Sequence, residues 1–313
     1  MEEKILYSME SPFQQEINVK GYYFGKNEGK ERSACIVGAL RGNEYQQLYI
    51  CSKLIDVLKK IEKHGDMVGE NGILVIPSVN NMSMDFGKRF WISDDTDLNR
   101  LFPGNPSGES GSRVAYAIME TTRGYRYGIH LPSFYLGGTF MPHIRLLDPE
   151  HGSTSLANLF GLPYVIEAKS RPFDRTTLHN NWQRNGTEAF SLYTGMTGKI
   201  DDELATQAVS SILRFLTRMG IIRYYSHSGY IASVLKESDL EPIMTEAAGI
   251  FIRKAECGQE VSRGDVLAQI MKADSGEIIS EVTAPTDGII FYAETRPVVY
   301  SNPVSYTHLT LPT

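Results

Sequence analysis

Three short stretches bring acids, amides, guanidiniums and imidazoles close enough together to do chemistry. Arg41, Gly42, Asn43 and Glu44 follow directly on the apolar run 33–40. Ligands of α/β proteins gather at the carboxyl ends of strands, which favours a functional reading of this loop. Taken alone, it reads better as a polar turn whose Glu44 opens a helix and complements its dipole. Asp97, Leu98, Asn99 and Arg100 come after the acidic loop 93–97. An amide beside a guanidinium makes a fork suited to a carboxylate. The competing reading is a turn capped by Asp97 with Arg100 on the surface. Gly128, Ile129 and His130 end a candidate strand, where an isolated histidine is more often a hydrogen-bonded structural residue than a ligand.

These stretches need elements to hold them. The run 33–40 reads as a buried strand, and 44–60 then places Leu48, Cys51, Leu54, Ile55 and Leu58 at helical spacing. With a second strand at 72–79, this is a crossover unit with parallel strands, so the fold class is α/β. Further strands are expected at 126–130, 164–168 and 189–194. A helix over 202–219 carries Leu204, Ala208, Ser211, Ile212, Phe215 and Met219 on one face and closes the first domain, set at 1–241.

From 242 to 303 the pattern changes to short β-type runs separated by turn signals, with Gly258, Gly264, Asp265, Ala284, Pro285, Asp287 and Gly288 marking the turns. This is a small all-β module. It resembles a biotinyl/lipoyl-type barrel, but no lysine stands at a hairpin tip in the setting expected for modification, so a structural role is assigned. Residues 304–313 do not fit a last barrel strand and resemble translated read-through. They are set aside, His308 with them, and the module is expected to lack its final strand.

Composition narrows the partners. With 42% hydrophobic and 22% charged residues the 313-residue chain can bury a core, which excludes wholesale disorder. A net charge of −6 argues against general attraction for nucleic acid or an anionic membrane, leaving a small molecule or a protein as partner. No apolar run suits a signal peptide or a membrane span. Three widely spaced cysteines, Cys35, Cys51 and Cys257, fit a reducing compartment, and a cytoplasmic location is expected.

In order and together, the three stretches resemble the succinylglutamate desuccinylase/aspartoacylase family of zinc-dependent deacylases, over about 33–220. The most specific match is Asp97, Leu98, Asn99 and Arg100 followed by Phe102, Pro103 and Gly104, supported by Pro77, Asn80, Arg113, Val114 and Ala115. The resemblance implies a zinc-carboxypeptidase-like mixed sheet flanked by helices, with the β-module as the C-terminal part. It implies zinc held by the first and last residues of a His-Gly-Asn-Glu motif and by the histidine ending an Asp-Leu-His strand. Here these positions hold Arg41, Glu44 and His130, so one expected ligand is an arginine, and the acid that should orient the third ligand is Gly128. The glutamate that serves the family as general base is matched by Tyr193, a poor proton acceptor.

By resemblance, then, the function is hydrolysis of the amide of an N-acyl amino acid or similar small molecule. Glu44 and His130 would be the remaining metal ligands, with Arg41, Asn99 and Arg100 as contacts for a carboxylate. An arginine cannot ligate a metal, and its charge repels a dication. The alternative is a catalytically inactive descendant that binds an anionic small molecule in the same pocket. His143 or His151 is each either a replacement metal ligand or a solvated loop residue. A metal-free enzyme using Arg41 is a weaker third reading, since no nucleophile motif accompanies it. A homo-oligomer is left open.

Overall fold

The computed structural model describes residues 1–11, 13–26, 32–134, 137–148, 154–226 and 228–301, together with the backbone of 304–310. His151 lies outside the described residues. The elements are β1 (Glu2–Glu10), β2 (Glu16–Gly25), β3 (Arg32–Ala39), α1 (Tyr45–Lys63), β4 (Gly72–Ser78), α2 (Asn81–Met84), α3 (Ser110–Thr122), β5 (Tyr127–His130), β6 (Thr139–Leu147), α4 (Thr154–Asn158), β7 (Tyr164–Ala168), α5 (Leu178–Arg184), β8 (Glu188–Gly195) and α6 (Asp202–Arg218). They are followed by β9 (Ser233–Lys236), β10 (Leu240–Met244), β11 (Gly249–Arg253), β12 (Glu260–Val261), β13 (Val266–Met271), β14 (Ile278–Thr283), β15 (Gly288–Ala293), β16 (Val298–Val299) and β17 (Val304–Thr310). The chain divides into two compact units, one of 1–133, 142–193 and 197–234, the other of 134–141, 194–196 and 235 onward.

In the first unit the sheet runs β1, β2, β4, β3, β5, β8, β6, β7. β3 pairs parallel with both β4 and β5, β5 with β8, and β6 with β7, whereas β1 and β2 are antiparallel additions at one edge. The sheet is mixed and flanked by helices, as the resemblance implies.

Alternation along the central strands divides the core in two, because successive side chains point to opposite faces. Ala34, Ile36, Ile73, Val75, Ile129 and Phe190 join one cluster, closed by Ile50, Leu54 and Leu58 of α1 and Ala208, Ile212 and Phe215 of α6. Cys35, Val37, Leu74, Ile76 and Ala189 face the other way, under Val114 and Ile118 of α3 and Leu178 and Trp182 of α5. This second face carries the polar centre at its carboxyl end.

The strand edges expected for β3, β4, β5 and β8 shift by a residue or so, and the two long helices stand where their periodicity places them. Local pattern did not reveal β1, β2, α3, β6 or α5. β6 holds His143, which is 4% exposed and so is not a solvated loop residue.

In the second unit β14, β13, β11 and β16 form one antiparallel sheet. β15 pairs with β12 and β17, and β17 also pairs with β10. Phe251, Leu267, Ile270, Val282 and Ile290 form its core. Lys272 stands at the base of the β13–β14 hairpin rather than at its tip, its ammonium 3.6 Å from Asp274. The stretch 304–310, set aside on sequence, occupies a strand position through backbone pairing, which any chain can supply. Among the described residues no helix is long and apolar enough to cross a membrane.

Candidate functional site

The centre is assembled where β3 and β5 end and α1 begins. Glu44 occupies the N-cap position of α1 but does not cap it with its side chain. Its carboxylate turns back instead: Oε2 accepts from the backbone amides of Leu40 at 2.8 Å and Arg41 at 3.0 Å. Oε1 accepts from Arg41 Nη1 at 3.1 Å, from the Ser133 amide at 3.2 Å and from the Ser133 hydroxyl. Such saturation is what a fully buried carboxylate requires.

Arg41 points inward and is 5% exposed. Its Nε and Nη2 donate to Asp97 Oδ1 and Oδ2, each at 2.9 Å, in the two-pronged geometry that suits a guanidinium. Nη1 reaches Glu44 and, at 3.4 Å, the carbonyl of Ser133. Burial pulls the pKa of this guanidinium down, but the charges and hydrogen bonds of Glu44 and Asp97 together outweigh it and hold the pKa above its ordinary value. Two carboxylates thus occupy the cation that sequence reasoning had offered to an anionic ligand.

Asp97 also accepts from the Asn99 amide at 3.1 Å, capping the short turn that presents Asn99 and Arg100. Asn99 is buried, and its Oδ1 accepts from the Leu178 amide at 3.2 Å, fixing the start of α5. Arg100 turns outward: it donates to the Phe173 carbonyl at 2.7 Å, lies 3.6 Å from Asp174 Oδ1 and covers the Phe173 ring at 4.9 Å. Arg41, Asn99 and Arg100 therefore grip different partners and do not form one fork.

His130 is 1% exposed, and its Nε2 has no hydrogen-bond partner. Its pKa is held well below the ordinary value by burial, with Arg41 and His179 adding to the effect. The absence of an acid at Gly128 has a steric reason: a Cβ there would lie 2.4 Å from Cε3 of Trp182, so the indole occupies the space. Tyr193, half-buried, stacks on His143 with ring centres 5.0 Å apart and planes 3° from parallel. Burial raises its pKa, against the pull of Arg145 and Arg41. It stays a protonated phenol, a donor rather than a base.

Three residues of the centre gave no sequence signal. Ser133 bonds Glu44 across 89 positions, and Arg89 Nη1 donates to the same hydroxyl at 3.3 Å. His179, 2% exposed, shares a 2.8 Å hydrogen bond between Nδ1 and Ser191 Oγ, and its Nε2 has no partner.

The catalytic-domain model of succinylglutamate desuccinylase/aspartoacylase matches residues 30–219, more than half of the chain. The chain belongs to that family. The N-alpha-acetyl-L-2,4-diaminobutyric acid deacetylase of Halomonas elongata is 24% identical over 292 residues, covering 84% of this chain and 77% of that protein. The product-bound structure of the ectoine utilization protein EutE (DoeB) from Ruegeria pomeroyi superposes with a TM-score of 0.80 at 18% identity, over 97% of this chain and 93% of that one. A succinylglutamate desuccinylase from Silicibacter sp. gives a TM-score of 0.80 at 17% identity, over 97% and 92%. These structures share the fold.

The family's zinc can be tested against the residues present. A zinc site needs at least three protein ligands carrying free lone pairs. Here the first ligand position is Arg41, and every lobe of Glu44 is engaged by a donor, one of them that same guanidinium. Among the described residues no three of His, Cys, Asp and Glu come together to hold a metal. The residues present do not fit the zinc.

Proposed function

We propose that this chain is a metal-independent member of the deacylase family that binds an N-acyl amino acid, or a closely related small carboxylate, without the family's zinc-driven hydrolysis. One observation carries the reading: the Arg41 guanidinium lies between Glu44 and Asp97, bonded to both, where metal chemistry would need an open carboxylate. The ligand class is taken from the relatives, one of which is named for deacetylating an N-acetylated diamino acid. Around the site, Arg145 acts on His179 and Tyr193 and Arg41 on His130 and Tyr193, while Asp174 and Glu44 oppose them at Tyr193.

Zinc-dependent hydrolysis is the second reading, favoured by the unpartnered Nε2 of His130 at the family's third ligand position. The two separate in one experiment with N-alpha-acetyl-L-2,4-diaminobutyrate and N-succinyl-L-glutamate as probes. Binding alone raises the melting temperature with no product by mass spectrometry, because a ligand of the folded state stabilises it by mass action. Turnover that needs added zinc and disappears in Glu44→Ala refutes the binding reading.

A further inference from the structure

His179 plays no part in the family motifs, yet the fold sets it beside His130. Gly128 and His130 share one face of β5, and Trp182 packs onto that face at Gly128. His179 and Trp182 are three residues apart on α5 and share a helical side. His179 in turn bonds Ser191, the register partner of His130 on β8. The two imidazoles thus sit over adjacent strand positions and act on each other electrostatically.

Both rings are buried, and neither Nε2 has a hydrogen-bond partner. Buried polar atoms are seldom left unpaired, because nothing then replaces their lost hydration. Two such atoms, on rings held over neighbouring strand positions, leave hydrogen-bonding capacity that one guest can take up. Burial first, then Arg41 at His130 and Arg145 at His179, opposes protonation, so both rings meet a guest as neutral imidazoles, each with one N–H to donate. If the Ser191 hydroxyl donates to Nδ1 of His179, the proton of that neutral ring stands on Nε2.

We propose that His130 and His179 form a two-imidazole contact that donates both Nε2–H groups to an oxygen of the bound ligand, a carboxylate or an acyl carbonyl. The assignment rests on the ligand-binding reading above and adds His179 as a residue that sets specificity for an oxygen acceptor.

The test uses the full chain labelled with ¹⁵N-histidine and N-succinyl-L-glutamate as probe, followed by NMR and calorimetry. The expected result is a shift of both Nε2 resonances on binding. His179→Phe should lose about tenfold or more in affinity, the effect of one hydrogen bond to a charged group, while His179→Gln, which keeps a donor, loses less. Wild-type binding with unmoved Nε2 resonances, or with affinity unchanged in His179→Phe, overturns the two-imidazole contact and leaves the binding reading standing. The NMR readout needs no variant to fold. No binding to wild type overturns the binding reading and this contact with it.

Discussion

Replacing Arg41 by methionine keeps most of the volume and removes the charge, so it measures what the guanidinium does. Glu44 is then left buried, still accepting from Ser133 and two backbone amides, while Asp97, whose side chain is 20% exposed, can take up water. Breaking a buried ion pair from one side costs about 3–5 kcal/mol, and the donors remaining on Glu44 place this case near the lower end, about 3 kcal/mol. At about 2–4 °C per kcal/mol for a chain of this size, the melting temperature should fall by roughly 6–12 °C. Arg41→His makes a sharper contrast, because it pairs a neutral imidazole with Glu44 near His130. Zinc should stabilise that variant, by about 2.7 kcal/mol at a hundred times its dissociation constant, and leave the wild type unmoved. Thermal unfolding with and without zinc, followed by metal analysis of dialysed protein, reads both effects. An Arg41→Met protein as stable as wild type, or stoichiometric zinc in the wild type, would refute the reasoning.

Two further predictions concern the helix-covered face. Gly128→Ala should lower stability by about 1–3 kcal/mol, the usual cost of overpacking, since its Cβ would meet Trp182 at 2.4 Å; denaturant titration followed by tryptophan fluorescence checks it. Burial, with Arg145 adding to it, holds the His179 pKa down at about 3, so below the unfolded value near 6.5 the unfolded state takes a proton that the folded state refuses. Stability should therefore fall with pH between about 6.5 and 3, by about 2 kcal/mol from pH 7 to pH 5 for this group, and His179→Gln should remove that increment in urea titrations at the two pH values.

How far the fold could be read in advance depended on burial. Parallel strands covered on both faces appear as continuous apolar runs, which is why 33–40 and 72–79 stood out. The helices α1 and α6 each bury one stripe and show the helical period. α5 hides for the opposite reason: His179, Asn180 and Asn181 are buried although polar, because the helix borders the polar centre, and they break any hydrophobic period. β6 is interrupted by Pro142, His143 and Arg145, and β1 is largely exposed. At the site, sequence placed Arg41, Glu44 and His130 at strand ends. The bonds that decide the chemistry, from Arg41 to Asp97 across 56 positions and from Glu44 to Ser133 across 89, join segments that no local pattern relates.

The departures from the family's metal motif support one another physically. An arginine at position 41 needs two carboxylates to be buried, and Glu44 and Asp97 supply them, leaving Glu44 no lobe for a metal. Without a metal, His130 has no need of an acid to orient it, so position 128 can be glycine and Trp182 can fill the space. Trp182 in turn seats α5, and α5 brings His179 against Ser191 beside His130. It follows that Arg41→His alone should give a weaker zinc site than the family's own, since outer partners are worth ten- to a hundredfold in metal affinity and an aspartate cannot return to position 128 while Trp182 lies on it.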